Sequence, residues 1–154
     1  MYVINNQMVS ITKVLVMEHA IYNDVFDQIE RLLSTPKSTA EVKTLASFVE
    51  GLLNTHGETE TNMAYSALDQ ALADRGALNR LYQDHHEIDD HLKRVHQTED
   101  PVEARRLLKI ALAVTREHFR REEKTVFPLL ENTLQSETLT ALGSKWTESH
   151  ALPR

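Results

Sequence analysis

Four apolar seams, each spaced like one face of a helix, constrain this chain more than any other feature. The first runs Met8, Thr12, Leu15, His19, Tyr22, Phe26, Ile29 and Leu33, and the second Val42, Leu45, Val49, Leu52, His56, Glu60 and Met63. The third is Leu78, Leu81, His85, Ile88, Leu92 and Val95; the fourth is Leu107, Ala111, Val114, His118, Glu122, Val126 and Leu129. Steps of three and four stack residues on one side of a helix, and no stretch alternates as a strand would. Loop signals separate the seams at STPKST (34–39), ADRGA (73–77) and HQTEDP (96–101). With only four Gly and four Pro in 154 residues, long helices are favoured over a turn-rich sheet. Short connections make consecutive helices antiparallel. The expected fold is therefore all-α, an up-down-up-down four-helix bundle in one domain, 1–154, with its core at residues 8–133. The tail, 134–154, is expected to add a short helix whose Leu139, Leu142 and Trp146 cap one end, and it carries no assigned chemistry.

Several function classes fall away on composition. A net charge of −6 without a Lys/Arg block argues against a nucleic-acid surface. No apolar run approaches the roughly 18 residues of a membrane span. The start, MYVINNQMV, lacks the basic and apolar regions of a signal peptide, and the absence of Cys removes disulfide, thiolate and redox-thiol chemistry. A cytoplasmic protein is the expectation.

Histidine is the unusual residue, at eight, and every seam contains one: His19, His56, His85 and His118. A buried imidazole needs a partner at each nitrogen, which an apolar bundle core rarely offers. One such residue reads as a hydrogen-bonded core histidine; four, one per helix, read as ligands. Glu60 and Glu122 each lie four residues after a seam histidine, one turn along the same face. Buried ionised carboxylates without a cation cost several kcal/mol or take up a proton. Two carboxylates converging with four imidazoles call for a multivalent cation, and iron answers best. A repeat pairs the second and fourth helices: His56-x3-Glu60-x4-Tyr65-x2-Leu68 matches His118-x3-Glu122-x4-Phe127-x2-Leu130. Six ligands exceed the four of a tetrahedral zinc. They leave two six-coordinate irons unsaturated even if both carboxylates bridge, and open positions are where O2, NO or peroxide would bind.

These elements resemble the hemerythrin family, in its HHE cation-binding branch. The resemblance is carried by His19, His56-x3-Glu60, DHHEID around His85 and HFRREEKTVFPLL from His118, over roughly residues 10–133. The last element includes Phe127-Pro128, where the proline is expected to close the helix. The resemblance implies a non-haem di-iron centre, two iron ions with an oxo or hydroxo bridge, ligated by His19, His56, Glu60, His85, His118 and Glu122. Oxygen-carrying members have a second His one turn along the third helix, where this chain has Asp89. They also place the last carboxylate five residues after its His, which would select Glu123 instead of Glu122. His86 is the alternative to His85, which is preferred because it shares the seam of Leu78, Leu81, Ile88 and Leu92. Tyr22, three residues after His19 on the same seam, is a core aromatic, a donor near the metal or an iron ligand.

Other signals carry less. HHEIDDH lacks the His-x3-His spacing of a zincin, and no histidine follows a Glu by three as ferritin-like sites require. His91, His96 and His150 are expected in solvent. Glu18, Asp84 and Glu117 each precede a seam histidine, but adjacent helical residues diverge by about 100°, so surface carboxylates are expected. Apart from Glu122, RREEK (120–124) reads as a solvated face. The leading functional expectation is a protein that binds or senses O2, NO or peroxide, with no catalytic residue assigned and no substrate cleft evident. Any output would pass through a separate partner or through occupancy itself, and the expected protein partners are a second copy, in a homodimer, or an unknown protein. The alternative is a di-iron enzyme that decomposes peroxide, oxidises iron or handles iron under stress. The third is a bundle whose histidines only hydrogen-bond its carboxylates.

Overall fold

The computed structural model describes residues 8–71 and 76–150, and every regular element among them is helical. Helix α1 spans Ile11–Leu32. Helix α2, Thr39–Thr59, passes through a π turn at Glu60–Tyr65 into α3, Ser66–Ala71. Helix α4 covers Gly76–Gln97. Helix α5, Pro101–Arg121, passes through a second π turn at Glu122–Val126 into α6, Phe127–Thr133, and α7 follows at Ser136–His150. The break expected at ADRGA lies largely outside the described residues. Local chemistry fixes two of the starts. At α2, Ser38 Oγ accepts from the Glu41 N–H at 3.2 Å while Glu41 Oε2 accepts from the Ser38 N–H at 2.7 Å, a reciprocal cap. At α5, Asp100 accepts from the Val102 N–H at 3.0 Å and Pro101 occupies the first turn, where its missing N–H costs nothing.

The bundle topology follows from which residues share a core. One apolar cluster joins the end of α1 (Phe26, Ile29, Leu33) to the start of α2 (Val42, Ala46), the end of α4 (Leu92, Val95) and the start of α5 (Ala104, Leu107, Leu108). The other joins the start of α1 (Ile11, Leu15) to Ala64, Tyr65 and Leu68, the start of α4 (Leu78, Leu81) and the segment Val126–Leu130. Starts pack with ends at each pole, so the four rods run up, down, up and down. The seam histidines fall between the two clusters. No helix among the described residues is long and apolar enough to cross a membrane.

Three expectations change. Met8, the first seam residue, is 71 % exposed; the buried face starts at Ile11 and Thr12. Pro128 does not close its helix. The π turn before it supplies the Phe127 N–H to Glu122 O bond, and the helix runs on to Thr133. In the second seam the extra residue of a π turn moves the buried face on, so that Ala64 and Tyr65 are fully buried and Met63 only partly. The tail does form a helix, and it docks closely: a Cβ at Gly143 would stand 1.8 Å from the Val9 carbonyl oxygen. Leu139 is buried in the second cluster, with Leu142 and Trp146 packed against it.

Candidate metal centre

The four middle histidines arrive from four rods, and the two carboxylates arrive where α2 and α5 change pitch. Glu60 and Glu122 open the two π turns, so the sequence repeat is also a repeat of backbone shape. The first copy lacks a counterpart of Pro128, since Ser66 stands there, so proline alone does not cause the turn. His19, Glu60 and Glu122 are fully buried and His56 and His118 nearly so, whereas the His85 side chain is 24 % exposed.

These six side chains form two sets with shared members. In one, His56 Nε2 lies 2.6 Å from Glu60 Oε1, and His19 Nε2 lies 3.4 Å from the same oxygen and 3.3 Å from Glu122 Oε2. In the other, His85 Nε2 lies 3.2 Å from Glu60 Oε2, and His118 Nε2 lies 3.5 Å from Glu122 Oε2. Within each set of two histidines plus Glu60 and Glu122, one ligand atom per residue falls within 4.8 Å of all the others. His86 is exposed outside both sets.

The hydrogen bonds around the cluster aim lone pairs inward. His19 Nδ1 meets Glu123 Oε1 at 2.8 Å, His56 Nδ1 meets Glu18 Oε2 at 2.8 Å, and His118 Nδ1 meets Asp84 Oδ2 at 3.3 Å. A carboxylate at Nδ1 holds the N–H there and leaves Nε2 as an acceptor. Yet the Nε2 atoms of His19 and His56 are 3.1 Å apart, and those of His85 and His118 are 2.9 Å apart. In the His19–His56 pair, where both Nδ1 atoms are taken by carboxylates, facing lone pairs at that separation repel unless a cation lies between them. Glu122 Oε2 is buried with no hydrogen-bond partner, although buried acceptors are almost always satisfied. The donor set therefore fits metal ions.

Protons are the competing occupants. Burial opposes a charge on His19, but Glu122 and Glu60 outweigh it and raise its pKa to about 9. Burial is likewise outweighed at His56, by Glu60 and Glu18, giving about 10. Burial would raise Glu60, but His56 and its other imidazole neighbours hold it well below the carboxylate range. Glu122 moves up, through burial and then the charge of Glu60. The pocket attracts positive charge strongly enough to overcome desolvation.

Two carboxylates expected on the surface belong to this site. Glu18 and Asp84 are buried, and each serves the histidine of a neighbouring rod instead of the one beside it in sequence. The 100° divergence that turns Glu18 away from His19 turns it toward His56. Asp84 is also held by Arg80 Nε at 3.0 Å and by Arg121. Within RREEK, Arg121 is thereby half-buried against Asp84, while Glu123 stays exposed although it reaches His19. Glu117 does stay exposed. Of the remaining histidines, His150 is exposed, but His91 and His96 are half-buried, with His96 on Glu50 at 3.1 Å. Two aromatics also went unread. Phe119 stacks on His19 with centroids 3.9 Å apart, and the Tyr65 hydroxyl donates to Glu122. Tyr65 stands in the sequence repeat opposite Phe127, the one signal that could have found it. Tyr22 sets its ring edge-on to His56 at 5.3 Å, and burial with the charges of Glu18 and Glu60 pushes its pKa to about 12.

A cleft is present, contrary to expectation. A cavity of about 260 Å³ lies between α2 and α4 against α5, with His85, His118 and His56 in its wall beside Gly57, Thr61 and Asp89. Compared with known families, residues 10–130 match the one described as the hemerythrin HHE cation binding domain. Comparison with curated proteins and with solved structures found no match.

Proposed function

The chain belongs to the hemerythrin HHE cation-binding family, and from that premise we propose that it holds two iron ions and binds or senses O2, NO or peroxide. The observation that carries this reading is the division of the cluster into two sets, each with two histidines of its own and both sharing Glu60 and Glu122. One ion would be held by His19 and His56, the other by His85 and His118, with Glu60 and Glu122 within reach of both. A redox-active iron pair supplies reversible electron transfer to a small oxidant or direct coordination of a diatomic.

The chain's own residues prepare that chemistry. Glu18, Glu123 and Asp84 fix the imidazole tautomers. Tyr65 anchors Glu122, and burial with the charges of Glu60 and Glu122 drives its phenol pKa upward, so it stays a donor. Phe119 and Phe127 cover the His19 side against water. A cytoplasmic setting belongs to this reading, because ferrous loading needs a reducing compartment. The cleft beside His85 and His118 favours one alternative: with room for a molecule larger than a diatomic, the same centre would decompose peroxide.

Metal content after anaerobic Fe(II) loading, followed by the absorption spectrum on admitting air, tests the reading. Two irons per chain with near-ultraviolet bands that bleach on deoxygenation are expected of a carrier or sensor. Bands that persist with peroxide turnover would move it to the enzyme class. Zero or one iron would overturn the di-iron centre.

A further inference from the structure

The two halves of the cluster differ in how they meet solvent. His19 is fully buried beneath Phe119, and His56 and His118 are each 2 % exposed, whereas the His85 side chain is 24 % exposed. Among the described residues His85 is also the one cluster histidine with no carboxylate hydrogen-bonded at Nδ1. The cavity between α2 and α4 ends on it. At about 260 Å³ this space exceeds the roughly 30 Å³ share of a water several-fold. Gly57 keeps it open: a Cβ there would lie 3.8 Å from His85 Cε1, so a longer side chain would fill the space beside that ring. The walls are largely apolar, with Leu53, Ile88 and Phe119, and carry two carboxylates, Glu58 and Asp89; no Lys or Arg lines them.

We infer that exogenous ligands reach the ion held by His85 and His118 through the α2–α4 groove, and that Glu58 and Asp89 make this entry selective for uncharged small molecules over anions. The inference rests on the metal reading above. A cleft bearing one sign of charge between low-dielectric walls concentrates its field on whatever enters. Neutral O2, NO and hydrogen peroxide pass without penalty, while an anion meets two carboxylates before it meets the metal. Asp89 sits one turn beyond His85 on the same helix face, so its charge stands at the mouth and not among the ligand atoms.

The test uses the full chain, iron-loaded, with azide on the ferric form as anionic probe and NO on the ferrous form as neutral probe. Gly57→Leu is expected to keep its iron content, since leucine suits a helix better than glycine, and to slow association of both probes at least about tenfold. Asp89→Asn is expected to tighten azide about threefold to tenfold, the scale of one partly screened charge at this range, and to leave NO unchanged. Full iron with unchanged association in Gly57→Leu would put the entry elsewhere. Unchanged azide affinity in Asp89→Asn would remove the charge selection. A metal-independent arm separates this inference from the metal reading: carbethoxylation of the metal-free chain, mapped by peptide mass. His85 is expected to react before His19, His56 and His118 and to be protected in Gly57→Leu. A chain that binds no iron would sink the metal reading. Equal reactivity of the four rings in the wild type would sink the entry route.

Discussion

Glu18 and Glu117 each stand immediately before a cluster histidine, and from sequence they are indistinguishable; the structure separates them, and a paired substitution makes the separation measurable. Glu18 Oε2 meets His56 Nδ1 at 2.8 Å, with 11 % of its side chain exposed, so the interaction is little screened. Glu117 is 52 % exposed and pairs with Arg120 at 3.2 Å on the surface, where an ion pair is worth tenths of a kcal/mol. Removing the carboxylate behind a ligating histidine costs roughly 10- to 100-fold in metal affinity, or about 1.4–2.8 kcal/mol. Glu18→Gln keeps an acceptor for the Nδ1–H and loses only the charge, so about tenfold is expected. Glu18→Ala also leaves the buried N–H unsatisfied, which puts it near hundredfold. Glu117→Gln should match the wild type within about twofold. Chelator competition against Fe(II) reads all three affinities, and stoichiometry should remain unchanged in each. Equal affinities for Glu18→Gln and Glu117→Gln would refute the assignment of Glu18 to His56.

His118→Ala is expected to lose about one iron per chain or more and to lower the melting temperature of the loaded form; unchanged iron content by elemental analysis would contradict the ligand set. In the metal-free chain, His19 and His56 are raised to about 9 and about 10, so their stabilising contribution is complete below the unfolded value near 6.5 and lost as pH rises through 9 to 10. Apo melting temperature should therefore fall between pH 6.5 and 10, and metal loading should flatten that fall; a rise in the apo form would reverse the sign of the argument. Gly143→Ala places a Cβ 1.8 Å from the Val9 carbonyl oxygen, against backbone that cannot rotate aside. A loss of about 1–3 kcal/mol by denaturant titration is expected, as for other overpacked contacts, with iron stoichiometry intact; wild-type stability would show that α7 docks differently.

Periodicity made the bundle legible because each buried face repeats over five turns or more, and a histidine in such a face stands out against leucine. The same seams separate His85 from exposed His86. Neighbours from other rods were not legible. Whether Glu18 points at solvent or at His56 depends on what the tertiary fold places a turn away, and nothing in α1 records it. The π turns were hidden for a related reason: one extra residue shifts the phase of a seam without changing its composition, so Met63 and Ala64 exchange places between rim and core. Tyr65 shows both effects at once, since its hydroxyl reaches Glu122 in another rod only after that shift.

The hydrogen bonds behind the histidines also account for where the cluster opens. Glu18 ties α1 to α2 through His56, Asp84 ties α4 to α5 through His118, and Glu123 ties the end of α5 back to α1 through His19. Each tie spans a boundary between rods and draws it shut over a buried imidazole. Between α2 and α4 the tie from His96 to Glu50, at 3.1 Å, holds no cluster histidine, and beside His85 Gly57 contributes no side chain at all. The groove occupies that boundary, and His85, the histidine left without a carboxylate behind it, is the one it exposes. The adjacent pair Glu122 and Glu123 divides the work in the same way. About 100° apart on the helix, one reaches the shared interior and the other the far nitrogen of His19, so the carboxylates four and five residues after His118 meet different atoms.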